Sequence, residues 1–450
     1  MTTHTEPAID SAHPEVREMV PVARPVVGTA RVPGSKSITN RALLVAALAH
    51  RDSVLTGALH SDDTRYMAAG LNALGLHVAG DEPGERFTVT GGGGTFPATS
   101  ADLFVGNSGT SMRFLTAALA LGHGRFRIDG VPRMRQRPLK PLLDALTALG
   151  VDARGESVPG YPPALVRADG LRGGTVQMAG DQSSQFITGL LLAAPYAMDG
   201  VMIEITGELV SAPYIAMTID VMHAFGVAVE GSAAGRRLHV PSGQRYTGRA
   251  YAIEPDASNA SYFFAAAAVT GGRVRVDGLG TTSTQGDLGF VHVLERMGAT
   301  VTIAADHTEV TGPADGVLAG LHHDFGEISD TAQTLAAIAP FAAGPTTIRG
   351  IGFIRHKETD RVSAMATELR RLGQRVDEFA DGLTIHPAPV QPADIATYDD
   401  HRMAMSFAVT GLRAPGVRIL DPACVAKTFP DFFTRLDELL GEGAGLETHP

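Results

Sequence analysis

Cysteine is nearly missing from this 450-residue chain, in which Cys424 is the only one. A disulfide framework and any cysteine-built zinc site are therefore excluded, and a reducing compartment such as the cytoplasm fits. Long apolar runs are missing too, since none approaches the roughly 18–20 residues that cross a bilayer. The polar first residues lack the basic start and apolar run of a signal peptide. Positive charge is in deficit: 37 Lys and Arg face 48 Asp and Glu, a formal net charge of −11. A nucleic-acid or anionic-membrane partner would favour a basic face, so neither is expected. Sixteen histidines are present without HExxH or comparable spacing, so no metal site is expected, and His322-His323 reads as a surface pair. Phosphate-loop signatures fail as well. Gly34-Ser35-Lys36-Ser37 breaks the Gly-Lys-Ser/Thr order, and the run of glycines at 91–94 is followed by Thr95-Phe96-Pro97, a poor helix start. That run reads as a hairpin turn or loop.

What is present is an ordinary globular composition, 44% hydrophobic and 19% charged, over a length that favours two domains. About the first 18 residues read as a mobile tail. Three polar clusters stand out on an Ala-, Leu- and Val-rich background. They are Lys36-Ser37-Ile38-Thr39-Asn40-Arg41, Arg355-His356-Lys357-Glu358-Thr359-Asp360-Arg361, and Asp399-Asp400-His401-Arg402. Glu358 and Arg361 are three apart, which on a helix places them on one face. An acid held among cations suits a site that binds an anionic substrate and moves a proton. The clusters read as one site built from remote pieces, against the alternative of three unrelated surface helix starts.

A repeat sets the expected architecture. An apolar pair three apart, then a glycine, then a β-branched run recurs at Leu71–Gly75, Leu146–Gly150, Met222–Gly226, Leu294–Gly298 and Leu369–Gly373, with a weaker copy ending at Gly441. A left-handed glycine there caps a helix and turns the chain into a strand, as expected for Gly226-Val227-Ala228-Val229-Glu230. Three copies precede residue 254 and three follow it, so two similar α/β domains are expected. The crossing falls near Tyr251–Asp256, where Pro255 stiffens the chain.

Eight segments together carry a resemblance: PGSKSITNRALL, LFVGNSGTSMRF, PRMRQRPLKPLLDAL, DQSSQFITGLLLAAP, LVSAPYIAMT, RHKETDRVSAMATELRRLG, IATYDDHRMAM and DPACVAKTFPDFF. From about residue 22 to about residue 440 the chain resembles the 5-enolpyruvylshikimate-3-phosphate synthases. The resemblance implies an α/β enolpyruvyl-transferase fold of the inside-out barrel type, two domains each of three βαβαββ units. It also implies transfer of the enolpyruvyl group of phosphoenolpyruvate to the 5-hydroxyl of shikimate 3-phosphate, releasing phosphate, on the route to chorismate and aromatic amino acids. No cofactor is implied, and a monomer is expected. The domains are expected at 35–253 and at 19–34 with 254–450, with the site between them.

Site residues follow from the same resemblance. Lys36, Ser37 and Arg41 would contact shikimate 3-phosphate, Lys36 also reaching phosphoenolpyruvate. Ser183, Ser184 and Ser211 would hold the shikimate phosphate, Gln185 would bridge both substrates, and Tyr214 would pack on the ring. Asp330 and Lys357 would orient the attacking hydroxyl. Arg137 and Lys427 are implied for the phosphoenolpyruvate phosphate, Arg361 and Arg402 for its carboxylate, where a planar guanidinium gives two parallel hydrogen bonds. Asn107, Gly109 and Thr110 would line the same pocket at a helix start. Glu358 and Asp330 are the implied acid/base pair, with Lys36 assisting.

The chain departs from the family pattern at Phe114, where many members have proline, and at Phe353, where many have asparagine. The first leaves glyphosate sensitivity open. A sibling family that acts on a UDP-linked N-acetylglucosamine typically carries a cysteine in the loop matching Pro132–Arg137, and this loop has none. A binding protein that had lost its catalysis would be expected to lose acid/base residues, yet Lys36, Asp330, Glu358 and Lys427 are all present.

Overall fold

The computed structural model describes residues 15–442. Among them, strands form six small sheets, five of four strands and one of three. In one, Gly174–Ala179 runs parallel to Val201–Thr206, which pairs antiparallel with Arg237–Val240, and Glu230–Ser232 closes the edge. The other four-stranded sheets repeat this order. Parallel neighbours need a crossover, and a helix supplies it; Ser184–Ala193 joins the first two strands here and Pro213–Ala224 leads to the hairpin. The repeating unit is thus βαβαββ.

Two units obtain their first strand from a distance. Val27–Thr29 precedes the helix Lys36–Leu48 but pairs with Arg273–Asp277. Ala250–Ala252 precedes the helix Ala257–Thr270 but pairs with Ser53–Thr56. The exchange makes the chain cross twice between domains, side by side. Ser35 N donates to Glu254 O at 2.8 Å and Asp256 N to Pro33 O at 2.9 Å. Only glycine fits at position 34, because a Cβ there would lie 1.8 Å from the Gly57 carbonyl oxygen.

Each domain has its own apolar core, one spanning Ile38 to Ile253 and the other Met19 to Ala30 with Ala257 to Leu439. The helices Lys36–Leu48, Gly109–Leu119 and Ser184–Ala193 are buried almost all round and pack on one another in the first domain. Ala257–Thr270, Ala332–Ile338 and His401–Gly411 do so in the second. A helix apolar on every side belongs inside a core. The strands lie outside these helices and bury alternate residues, as Phe87 and Val89 do in Arg86–Thr90. Helices inside and sheets outside make this an inside-out α/β fold of two similar domains.

The glycine punctuation holds at Gly75, Gly150, Gly226, Gly298 and Gly373, all at positive φ. Gly441 departs from it by lying inside the helix Phe432–Glu442. After Gly226 the strand starts only at Glu230. The glycines at 91–94 form a loop between two sheets. The expected tail is shorter at its inner end: Val16–Glu18 pairs antiparallel with Val417–Leu420, and Arg17 Nη2 lies 2.6 Å from Asp437 Oδ1. Its polarity is that of an edge strand half-exposed to water. Residues 1–14 of that expected tail, and 443–450 of the expected second domain, lie outside the described residues.

Candidate active site

Buried helices of both domains begin at one cleft. Lys36 opens its helix after the N-cap Ser35, and Gly109 and Thr110 open theirs after Ser108. Ser183 caps the helix that starts at Ser184, its hydroxyl accepting from Gln185 N at 3.2 Å. From the second domain come Arg361, first in Arg361–Arg371 after Asp360, and Arg402, second in His401–Gly411 after Asp400. Helix N-termini carry partial positive charge and unpaired N–H groups, so their convergence with lysines and arginines favours anions.

Two acids stand among these cations. Glu358 is 8% exposed, with Oε2 2.9 Å from Arg361 Nη2 and Oε1 3.7 Å from Arg137 Nη1 and 4.0 Å from Lys427 Nζ. Burial alone would raise its pKa, but Arg361, then Arg137 and Lys427, hold it well below the usual carboxylate range. Asp330 accepts from Lys357 Nζ at 2.6 Å, Arg361 Nη1 at 3.2 Å and Arg402 Nη2 at 2.8 Å. Burial opposes ionisation there too, and Arg402, Lys357 and Arg361 outweigh it, leaving Asp330 well below its ordinary value. The Glu358–Arg361 contact exists, but not along a helix. Asp360 caps the helix by accepting from Ser363 N at 3.0 Å, so the helix starts only at Arg361 and Glu358 stands in the turn before it.

Lys36, Gly109, Thr110, Arg137, Ser183, Gln185, Asp330, Lys357, Glu358, Arg361 and Arg402 line this cleft together. Its free volume is about 60 Å³, room for only a few waters. Lys427 and Asn107 adjoin it: Lys427 Nζ donates to Asn107 O at 2.8 Å, and Arg137 Nη1 donates to the same oxygen at 2.9 Å. Ser37, Arg41, Ser184, Ser211 and Tyr214 are not among the lining residues. Arg41 is buried, donating to Thr218 Oγ1, Ser37 O and Tyr214 O, with Phe114 5.2 Å beneath its guanidinium. Ser211 N donates to Gly326 O across the domains at 3.1 Å. Tyr214 Oη reaches over as well, to Asp287 at 2.8 Å and Asp330 at 3.3 Å. Phe353 lines the cleft, its ring 5.6 Å from Lys357 Nζ.

Residue patterns alone did not single out Asp63, Arg113 or Asp287, and His356 and Asp400 stand in the polar clusters of the sequence without an assigned role. Asp63 accepts from Lys427 Nζ at 2.9 Å and lies 3.7 Å from Lys36 Nζ. In the sequence it is the second acid after Ser61, which reads as a plain acidic first turn. Asp400 pairs with Arg361 through Nε at 2.7 Å and Nη2 at 3.2 Å. Asp287 is buried, accepts from Tyr214 and Ser258, and is pushed up to about 6 by burial and then by Asp330. A raised carboxyl holds its proton in the native chain while the unfolded chain releases it. Native stability therefore falls as pH climbs from about 4 through about 6. Asp287→Asn mimics the protonated form, so its melting temperature minus that of the parent should increase across this window and level off above it. A difference independent of pH would remove Asp287 as the cause.

A sequence model of the EPSP synthase family, described as EPSP synthase (3-phosphoshikimate 1-carboxyvinyltransferase), matches residues 21–436. The chain is 52% identical to the 3-phosphoshikimate 1-carboxyvinyltransferase of Nostoc punctiforme, with 94% of this chain and 99% of that protein aligned. It is 46% identical to the chloroplastic enzyme of that name from Brassica napus, over 92% of this chain and 84% of the relative. The chain belongs to the EPSP synthase family. A solved EPSP synthase from Acinetobacter baumannii superposes with a TM-score of 0.78 at 26% identity, covering 94% of this chain and 97% of that one. The enolpyruvyl transferase NikO from Streptomyces tendae shares the fold at 19% identity, with a TM-score of 0.76 and coverage of 95% and 97%.

Among the described residues of this family member, no group of three His, Cys, Asp or Glu could hold a metal ion. No described helix is long and apolar enough to cross a membrane. Cys424 is half-buried, and burial raises its thiol far above the ordinary value. A thiol held protonated is a poor nucleophile, so Cys424→Ser should keep activity within about two-fold and alkylation should be slow. Rapid inactivation by a thiol reagent, prevented by phosphoenolpyruvate, would overturn this.

Proposed function

We infer that this member of the EPSP synthase family transfers the carboxyvinyl group of phosphoenolpyruvate to the 5-hydroxyl of shikimate 3-phosphate, yielding 5-enolpyruvylshikimate 3-phosphate and phosphate. The observation that carries the reading is the interdomain cleft in which Glu358 and Asp330 stand among Lys36, Arg137, Lys357, Arg361 and Arg402. The chemistry is addition followed by elimination. The 5-oxygen bonds to C2 of phosphoenolpyruvate as its proton leaves, and C3 gains a proton. A C3 proton then departs as the C2–O bond to phosphate breaks. Only proton transfers and charge stabilisation are needed, so the reading requires no cofactor.

Asp330 and Lys357 orient the 5-hydroxyl, and Glu358 with Asp330 forms the acid/base pair, Lys36 assisting. Arg361 and Arg402 take the phosphoenolpyruvate carboxylate, while Arg137 and Lys427 take its phosphate beside Asn107, Gly109 and Thr110. An anion that occupies Arg137 and Lys427 withdraws their stabilisation of ionised Glu358 and raises its pKa toward that of a proton donor. Ser183, Ser184 and Ser211 hold the shikimate phosphate, Lys36, Ser37 and Arg41 contact shikimate 3-phosphate, Gln185 bridges the substrates, and Tyr214 packs on the ring. The small free volume supports a cleft that opens to admit them. Domain boundaries at 35–253 and at 19–34 with 254–450 belong to the same reading, supported by the two cores and the paired crossings. So do a monomeric state and a cytoplasmic setting, the latter favoured by the single, unpaired cysteine.

Release of inorganic phosphate from phosphoenolpyruvate and shikimate 3-phosphate tests the whole reading. Phosphate should appear with shikimate 3-phosphate and not with UDP-N-acetylglucosamine. Release with the nucleotide sugar instead would transfer the chain to the sibling activity, and release with neither would refute catalysis.

A further inference from the structure

The turn that carries Lys357 and Glu358 is held from the opposite domain by one side chain. Arg133, on the loop before the short helical turn Met134–Gln136, sends its guanidinium across the cleft. Its Nε donates to Lys357 O at 3.2 Å and Glu358 O at 3.1 Å. Its Nη2 donates to Arg355 O at 3.2 Å and Lys357 O at 3.0 Å. Among the described residues these three carbonyls have no other hydrogen-bond donor. Buried or half-buried carbonyls need partners, and here a planar fork meets three at once.

The loop itself is anchored. Two residues further on, Arg135 grips Asp129 with Nε at 2.9 Å and Nη2 at 2.7 Å, and Asp129 also accepts from Gly130 N at 2.8 Å. Four residues after Arg133, Arg137 Nη1 stands 3.7 Å from the Glu358 carboxylate. One loop of the first domain thus holds the backbone of Glu358 through Arg133 and faces its side chain with Arg137. The turn has little support of its own: Asp360 O accepts from Ala364 N of the following helix at 2.9 Å, but residues 357–359 make a single backbone hydrogen bond, Lys357 N to Ile354 O at 3.3 Å.

We propose that Arg133 is a positioning residue, a strap that fixes the 355–358 turn against the first domain and so sets where Glu358 and Lys357 stand during turnover. It touches no reacting atom and acts through the backbone it holds. The proposal rests on the reading of the cleft given above. A displacement of about 1 Å in such a turn costs on the order of 10²-fold in rate. The loss falls mainly in kcat, because the groups assigned to the shikimate phosphate lie off the turn and only Lys357 on it is assigned to that substrate, at the attacking hydroxyl.

The test is Arg133→Met, which keeps the length and removes every donor, beside Arg133→Lys, which keeps the charge and loses the fork. Phosphate release should show kcat lower by about 10–10²-fold in Arg133→Met, with KM for shikimate 3-phosphate little changed. Arg133→Lys should be slow as well, since one ammonium cannot span three carbonyls, and added methylguanidinium should restore part of the Met variant's rate. Hydrogen exchange over residues 353–360, measured with shikimate 3-phosphate present, should be faster than in the parent, while the melting temperature stays near it. A kcat within about two-fold of the parent, or unchanged exchange of that turn, overturns the strap; should the Met variant fail to fold, the Lys variant carries the same readouts. A slow Arg133→Met beside a fully active Glu358→Gln would instead sink the acid/base role of Glu358 and leave the strap standing. A slow Glu358→Gln beside a normal Arg133→Met would sink the strap alone.

Discussion

Glu358→Gln will lower kcat by about 10²–10⁴-fold, the usual effect of losing a general acid/base, with much smaller changes in substrate affinity. The amide fills nearly the same space, and removing a negative charge does not repel anionic substrates. Stability should change little, and the reason is geometric. Arg361 loses Glu358 but keeps Asp400 at 2.7 Å and Asp330 at 3.2 Å, and Lys427 keeps Asp63 at 2.9 Å. Arg137, whose one carboxylate neighbour among the described residues was Glu358, keeps its hydrogen bonds to Asn107 O at 2.9 Å and Oδ1 at 3.2 Å, so each buried cation retains a hydrogen-bond acceptor. A purely structural Glu358 predicts the reverse, a lower melting temperature with turnover intact. Single-turnover rates and melting curves on the same preparation separate these outcomes. A normal rate at saturating substrates would leave Asp330 and Lys36 as the proton carriers.

Much of this architecture was legible in the sequence because it repeats. The glycines at 75, 150, 226, 298 and 373 mark helix ends by a local backbone requirement, and local requirements survive in a sequence. The convergence of the Lys36, Glu358 and Arg402 clusters was legible as chemistry, since such densities of charge on an apolar chain need a reason. What escaped was whatever depends on an exchange between distant parts. Nothing in Val27–Thr29 announces that it pairs with Arg273–Asp277, and Val16–Glu18 reads as tail because this edge strand is as polar as a loop. Asp63 and Asp287 escaped for the same reason. Each looks like a solvated acid until the fold brings Lys427 to one and Tyr214 to the other. The three-residue spacing of Glu358 and Arg361 would put them on one face of a helix, but Asp360 caps the helix two residues after Glu358 and leaves Glu358 in the turn before it.

Asp400→Ala is expected to cost about 3–5 kcal/mol of stability, the range for removing one partner of a buried ion pair. Asp400 is fully buried and makes two kinds of bond at once. Its carboxylate receives Arg361 through both Nε and Nη2, and it caps the next helix by accepting from Arg402 N at 2.9 Å. Alanine removes both. Asp330 and Glu358 still face the Arg361 Nη atoms, but Nε then has no acceptor in a region closed to water, and an unmet charged donor there carries most of the expected loss. The lost cap adds about 1 kcal/mol. Asp400→Asn restores the cap and one acceptor without the charge, so it should recover roughly half of the deficit. Denaturant unfolding of the three proteins reads these differences directly. An alanine variant within about 1 kcal/mol of the parent would mean that Arg361 turns to Asp330 and Glu358 without penalty. The cluster would then be adaptable rather than fixed. Arg361 could in that case leave Asp400 to bind a substrate carboxylate, and Asp400→Asn would leave KM for phosphoenolpyruvate unchanged. A fixed cluster predicts instead that KM for phosphoenolpyruvate rises as Arg361 loses its aim.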